Sequence, residues 1–229
     1  MHFELFVPVY NEQYLLPYMI KHYQNCVGKD NIRFNIFDNG SNDDTVKIAL
    51  QEGCHVGVYE TGGQVRDDLL MLFKNSIWKN SIADFVIVID CDEFIDIDPK
   101  QLQGHTIMKA EGWNMISDGS HNPQTVTEGS RHTPEDKVCV FNPQRIIDIN
   151  YTPGAHGCHP IGTIDWAPVR KLYHMCALSE DQMVNKYRSS NNRLSELNKR
   201  NGWGNHYSQS EESVRTMHRN SLIGKIKVR

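Results

Sequence analysis

Two hydrophobic periods alternate through the first half of this chain. Phe3 to Val9 is a compact apolar run with the length of a buried strand. Leu15, Leu16, Met19, Ile20 and Tyr23 then recur at helical spacing, behind Asn11, which can cap a helix. Arg33 to Phe37 predicts a second strand. Ser41 or Asn42 can cap the next helix, with Asp43 and Asp44 in its first turn, where the helix dipole favours negative charge. That helix carries Val46, Ile48, Ala49 and Leu50, and Gly53 ends it. Cys54 to Tyr59 reads as a third strand. After the Gly62-Gly63 turn, Val65, Leu69, Leu72, Phe73 and Ile77 mark a third amphipathic helix. Phe85 to Ile89 is a fourth strand, apolar at every position.

A strand apolar on both faces belongs inside a parallel sheet covered by helices. The β-α-β-α-β-α-β order therefore predicts an α/β fold, a Rossmann-like and mostly parallel sheet with right-handed crossovers. Ligands bind such sheets at the carboxyl ends of the strands. The residues found there are Tyr10-Asn11-Glu12, Asp38-Asn39-Gly40, Glu60-Thr61-Gly62-Gly63 and Asp90-Cys91-Asp92-Glu93. All are polar or small, and three sets carry carboxylates.

The second half is less regular. Residues 112–136 are rich in Gly, Ser, Thr, Asn and Pro and read as loops. Val138 to Phe141, Arg145 to Ile149 and Val169 to His174 are short strand candidates, and Tyr151 to Pro160 is a Gly/Pro/His loop. Ser179 and Gln182 form a capping box, with Met183, Tyr187, Leu194 and Leu197 continuing one helix; beyond Gly202 the chain is polar. There is no internal repeat and no linker, so residues 1–229 are expected to form one domain. Its nucleotide-binding half would span 1–93 and its acceptor half 94–229.

Composition narrows the classes. The 229 residues are 39% hydrophobic and 23% charged, which is ordinary for a globular chain. A net charge of -4 argues against non-specific binding to nucleic acid or anionic lipid. No apolar run reaches the roughly 20 residues of a membrane span, so no transmembrane segment is expected. Met1-His2-Phe3-Glu4 has no basic region of the signal-peptide kind. The six cysteines are scattered without a C-x-x-C pair, which speaks against a zinc ribbon or a disulfide scaffold. Reduced thiols suit a cytoplasmic protein, at most peripheral to a membrane.

The strongest chemical signal is Asp90-Cys91-Asp92. Asp96-Ile97-Asp98 has the same spacing, so position decides between them. Asp90 closes the buried fourth strand; Asp96 and Asp98 lie in a polar stretch before Pro99. On extended backbone alternate side chains share a face, so Asp90 and Asp92 can converge while Cys91 points away. Converging carboxylates repel unless a cation joins them. Mg²⁺ or Mn²⁺, shared with substrate phosphates, is the natural partner.

Three segments now carry a resemblance. Val7-Pro8-Val9-Tyr10-Asn11-Glu12, then Phe37-Asp38-Asn39-Gly40-Ser41-Asn42-Asp43, then Val88-Ile89-Asp90-Cys91-Asp92-Glu93-Phe94 closely resemble the GT-A glycosyltransferases of the family 2 type. The resemblance covers about the first 100 residues, and three motifs in order are far more specific than one. Leu172-Tyr173-His174 and Arg193 to Trp203 extend it more loosely, toward small transferases of bacteria and large viruses.

The resemblance implies roles. Val7, Pro8, Val9, Tyr10 and Glu12 would line a nucleotide pocket, with Asp38 on the base or ribose and Asn39 supporting that loop. Asp90 would contact the ribose or a metal-bound water, with Cys91 beside it, and Asp92 would hold the metal. A late His would complete the metal site; His156 and His174 are the leading candidates, and imidazole favours Mn²⁺ over Mg²⁺. Arg66 falls where family members often have a functional Arg or Lys; the preceding Gly62-Gly63 is a phosphate-loop signal that ordinary turns share. If transfer inverts configuration, a carboxylate should deprotonate the acceptor hydroxyl. No clear Glu-Asp pair stands at the expected place; Glu135-Asp136 is the closest literal match, with Asp118, Glu128 and Glu111 as alternatives.

The implied activity is transfer of a sugar from a nucleotide diphosphate donor, a UDP-sugar above all, to a hydroxyl of a glycan, lipid or protein. A sugar nucleotidylyltransferase of related fold would need a Gly-rich loop after the first strand, where Pro8-Val9-Tyr10-Asn11 stands instead. A carbohydrate-binding module without turnover would keep the fold but bind nucleotide weakly and without metal.

Overall fold

The first apolar run forms β1 (Phe3–Val9), buried along nearly its whole length. It leads into α1 (Leu16–Val27), which turns Leu16, Met19, Ile20 and Tyr23 inward. This is a computed structural model, and it describes residues 1–119 and 122–229. β2 (Ile32–Asp38), α2 (Thr45–Gln51), β3 (His55–Val58), α3 (Asp67–Ser76) and β4 (Phe85–Val88) follow in the predicted order. β3, β2, β1 and β4 lie side by side, and each pairing is parallel. The chain is therefore α/β, with a helix-flanked parallel sheet, as its periodicity requires.

Both faces of β1 are covered. Phe3, Leu5 and Val7 pack with Leu16, Met19 and Ile20 of α1 and Ala49 of α2. Phe6 packs on the opposite face with Trp78, Val86, Val88 and Phe141. This double burial is what makes alternate residues of the strand equally apolar.

Two cap assignments differ from expectation. Asn11 does not cap α1: it sits at φ +55°. Its amide N–H donates to Ser41 Oγ at 2.8 Å, and its side chain pairs with Asn42, which ties the loops after β1 and β2 together. Ser41 and Asn42 are spent on that tie, so α2 starts later, and the Thr45 N–H donates to Asp43 Oδ1 at 2.9 Å.

The second half adds β5 (Glu93–Ile95), α4 (Pro99–Leu102), β6 (Ile107–Ile116), β7 (Glu128–Arg131), β8 (Lys137–Phe141), β9 (Ile146–Asp148), β10 (Ile161–Gly162) and β11 (Arg170–Ala177). It ends in α5 (Glu180–Arg193), α6 (Glu196–Asn201), α7 (Glu211–Ser221) and β12 (Ile226–Lys227). β8 joins β4 antiparallel and carries the sheet on to β6, β7 and β12. β11 lies parallel to β6 and antiparallel to β5, which sets His174 opposite Asn114 on one side and Glu93 on the other.

Residues 112–136 are thus not all loop. β6 runs to Ile116 because β7 and β11 flank it, and paired backbone outweighs weak local propensity. The single late helix divides at Leu194, where Ser195 accepts from the Asn198 N–H at 3.1 Å and starts α6. The polar tail holds α7, whose Val214 and His218 are buried.

Candidate functional site: a cavity and a buried charge cluster at the strand ends

A cavity of ≈ 150 Å³ opens at the carboxyl ends of the parallel strands. Pro8, Val9 and Tyr10 reach it from the end of β1, Asn39 from the end of β2, and Arg66 from the start of α3. Asp90 and Arg193 close it. The Arg193 guanidinium lies 3.2 Å from the centre of the Tyr10 ring and donates to the Gly63 carbonyl at 2.9 Å. With its amide oxygen turned toward Arg193, Asn39 accepts from that guanidinium at 3.0 Å and donates to the Tyr59 carbonyl at 2.9 Å. The main chain adds a clasp: Val65 N–H donates to the Arg193 carbonyl at 2.7 Å and Ser195 N–H to the Val65 carbonyl at 3.3 Å. Arg66 is oriented by a two-point ion pair with Asp68, at 2.8 and 2.6 Å.

Beside the cavity lies a ladder of opposite charges. Lys74 of α3, almost fully buried, reaches Asp90 Oδ1 at 2.7 Å. The Asp90 N–H donates to Glu93 Oε2 at 3.0 Å, and Glu93 in turn pairs with Lys137 of β8. Lys137 also lies 3.6 Å from Glu135. Asp92 Oδ2 faces His174 Nε2 at 3.2 Å and is engaged by the Lys186 ammonium of α5. His174 Nδ1 lies 2.9 Å from Asn114 Oδ1 and 3.7 Å from Glu135. Such an outer partner fixes the ring with Nε2 toward Asp92.

Burial and pairing set the charges. Burial alone would raise Asp92, but Lys186 and His174 outweigh it and hold the carboxyl well below the usual range. Burial likewise opposes a charged His174, yet Cys176 and Asp92 raise it well above the usual value. Asp90 is lowered against its burial by Lys74 and Lys137. Glu135 is lowered against its burial by His174, Lys137 and His156. Glu12 goes the other way: burial, then the neighbouring Asp92, push it up to about 8. An ionised Glu12 would add one more negative charge where the lysines are already paired.

The predicted residues separate into groups. Pro8, Val9, Tyr10, Asn39, Arg66 and Asp90 share the cavity. Val7 and Cys91 are core residues. Cys91 and Asp92 lie in a turn after β4 rather than on extended backbone, and Asp90 and Asp92 take separate partners, Lys74 for the one and Lys186 with His174 for the other. Asp38 accepts from the Gly40 and Ser41 N–H groups at 3.1 Å, folding its own loop. Glu12 belongs with Asp92 rather than with the cavity wall. Asp92 and His174 meet, whereas His156 is half-exposed and approaches Glu135 at 3.7 Å. Asp136 is held by Arg131, Lys109 and the Gly112 N–H. Glu128 pairs with Lys225 at the sheet edge, and Asp118 is an exposed residue beyond β6. Of the carboxylates weighed as a base, Glu135 is the one brought to His174.

Sequence reasoning missed Lys74, Lys137, Lys186 and the cavity role of Arg193. Lys74 offered a faint signal, a charge on the inward face of an amphipathic helix; the others offered none.

Asp92 and His174 are spaced as two ligands of one ion can be, and the orienting Asn114 is in place. Among the described residues no group of three His, Cys, Asp or Glu is arranged around a metal position. To serve as a ligand His174 would have to give up its ring proton, and an ion on this pair would need further ligands from elsewhere.

No family model and no curated protein matches this sequence. Among solved structures, S. aureus TarS shares 14% identity at a TM-score of 0.49, covering 98% of this chain and 44% of its own. Glucosyl-3-phosphoglycerate synthase from Mycobacterium tuberculosis, in complex with Mg²⁺ and UDP, shares 14% at 0.43, covering 85% of this chain and 80% of its own. The same enzyme with Mn²⁺, UDP and phosphoglyceric acid shares 14% at 0.40, covering 68% and 61%. The chain thus spans less than half the length of TarS, and each of these is a low-scoring likeness.

Proposed function

We propose that this chain is a GT-A glycosyltransferase that moves a sugar from a nucleotide diphosphate donor, a UDP-sugar in the first instance, to a hydroxyl of a glycan, lipid or protein. The observation that carries this reading is the joining of two features at one sheet edge. One is a cavity walled by the Pro8-Val9-Tyr10 strand end, Asn39 and Asp90; the other is the Asp92–His174 pair.

Each part has a task. Tyr10 and Asn39 bound the part of the cavity suited to a nucleoside, and Asp90, its side chain about a third exposed, keeps an oxygen for a ribose hydroxyl. Arg66 and Arg193 border the same cavity and can meet phosphate oxygens. Breaking the sugar–phosphate bond leaves negative charge on the nucleoside diphosphate, and fixed cations placed beforehand stabilise that charge. Asp92 and His174 would hold Mn²⁺ or Mg²⁺, which as a Lewis acid supplies further neutralisation. Glu135, kept ionised by His174, Lys137 and His156, is the proposed base for the acceptor hydroxyl, in place of Asp118, Glu128 and Asp136.

Calorimetric titration with UDP, with and without Mn²⁺, tests the donor site. Binding that Mn²⁺ strengthens in the wild type and not in Asp92→Asn is expected. Absence of nucleotide binding under both conditions would sink the reading. Donor hydrolysis measured across a panel of nucleotide sugars then separates an enzyme from a module without turnover.

A further inference from the structure

One oxygen, Asp92 Oδ2, faces two basic side chains. His174 Nε2 stands 3.2 Å away, and the Lys186 ammonium engages the same atom from α5. An ion bound through Asp92 Oδ2 and His174 Nε2 would compete with the ammonium for that oxygen. The three side chains differ in freedom. Asp92 is 8% exposed and follows a backbone fixed by the Met175 N–H, which donates to the Asp92 carbonyl at 2.8 Å. His174 is 15% exposed and is anchored to Asn114 at 2.9 Å. Lys186 is 33% exposed and comes in from a helix on the solvent side, on a flexible four-carbon stem. Of the three, Lys186 is the one that can leave.

We propose that Lys186 is a tethered cation that competes with a divalent ion for Asp92 and keeps the ion weakly bound until a donor arrives. This rests on the reading of the Asp92–His174 pair as the metal side of a nucleotide diphosphate site. Without donor, an incoming ion must evict the ammonium from its carboxylate and leave it with the weaker influence of Glu12 and Tyr207. With donor, phosphate oxygens offer the ammonium a new anionic partner, so eviction is far easier. Ion and donor then bind together, and the ammonium ends on the leaving diphosphate side.

The probe is Mn²⁺ alone, titrated without nucleotide and followed by the paramagnetic resonance signal of the free aqueous ion. Lys186→Met should bind Mn²⁺ more tightly than the wild type by about tenfold or more, the ordinary scale of coupling between two competing ligands. Lys186→Gln serves as a second neutral variant should the first fold poorly, and Lys186→Arg, which keeps the charge, should stay as weak as the wild type. The gain should vanish when Asp92→Asn is combined with Lys186→Met. A neutral variant no tighter than the wild type overturns the proposal, as does Lys186→Arg matching Lys186→Met, or a gain that survives Asp92→Asn. Titration with UDP keeps the two ideas apart. If UDP binds as expected and Mn²⁺ affinity does not rise in the neutral variants, the tethered cation alone fails. If UDP binds no variant while Mn²⁺ affinity rises, the competition stands and the nucleotide reading fails.

Discussion

Glu12 carries a pH dependence that can be read directly. Its folded value, about 8, lies above the ordinary 4.5, so the folded state holds the proton more tightly than the unfolded chain does. The stabilisation is full below about pH 4.5 and is lost as pH climbs through about 8. Urea denaturation in the presence of a chelator should show the wild type losing stability against Glu12→Gln between those limits; parallel profiles would contradict it. Lys137 offers a second residue-level test. It is nearly inaccessible and serves both Glu93 and Glu135. Lys137→Met leaves Glu93 without its counter-cation, and a loss of about 3–5 kcal/mol is expected, partly recovered by adding Glu93→Gln. A loss under about 1 kcal/mol in the unfolding free energy would show that the pair is not the keystone of the ladder. At this scale the sequence was only half legible. Asp90 and Asp92 announce themselves because strand ends fix where short side chains lie. Lys74, Lys137 and Lys186 do not, because a long stem reaches its partner from an element at no fixed distance along the chain.

The elements of the first half could be read because each buries a complete apolar face, so period alone identifies it. β6 and α7 could not. β6 owes its extent to neighbours on both sides, and its Gly112 breaks the pattern for a spatial reason. A Cβ there would lie 2.3 Å from Glu135 Cβ and 2.7 Å from its backbone carbon. Gly112→Ala must therefore push the turn Thr133–Glu135 outward and take Glu135 from His174. The expected result is a stability loss of about 1–3 kcal/mol and a fall in donor turnover with UDP affinity unchanged. Unchanged turnover would remove Glu135 from the chemistry. α7 shows a different limit: its two buried residues, Val214 and His218, are too few to make a period visible in a polar tail.

Across the whole molecule, α5 links what the sheet keeps apart. Lys186 and Arg193 are seven residues apart, two helical turns, so they fall on one face about 10 Å from each other. One helix from the second half thus sets one cation on the metal side and another on the cavity of the first half. Hydrogen exchange should reflect this union. On adding UDP, amides of 60–66 and of 189–195 are expected to gain protection together; protection of the first segment alone would count against a shared wall. That union rests on the two main-chain hydrogen bonds between Val65 and the residues Arg193 and Ser195. They have a further effect on how the chain would be cut. The Gly62-Gly63 turn is exposed, and both glycines have positive φ, the kind of tip where proteases usually nick. A protease must draw several residues into an extended form, and here the residues just downstream are stitched to a helix end more than a hundred positions away. The turn looks open to attack yet is sewn shut, and a cut there would wait for the stitches to come undone.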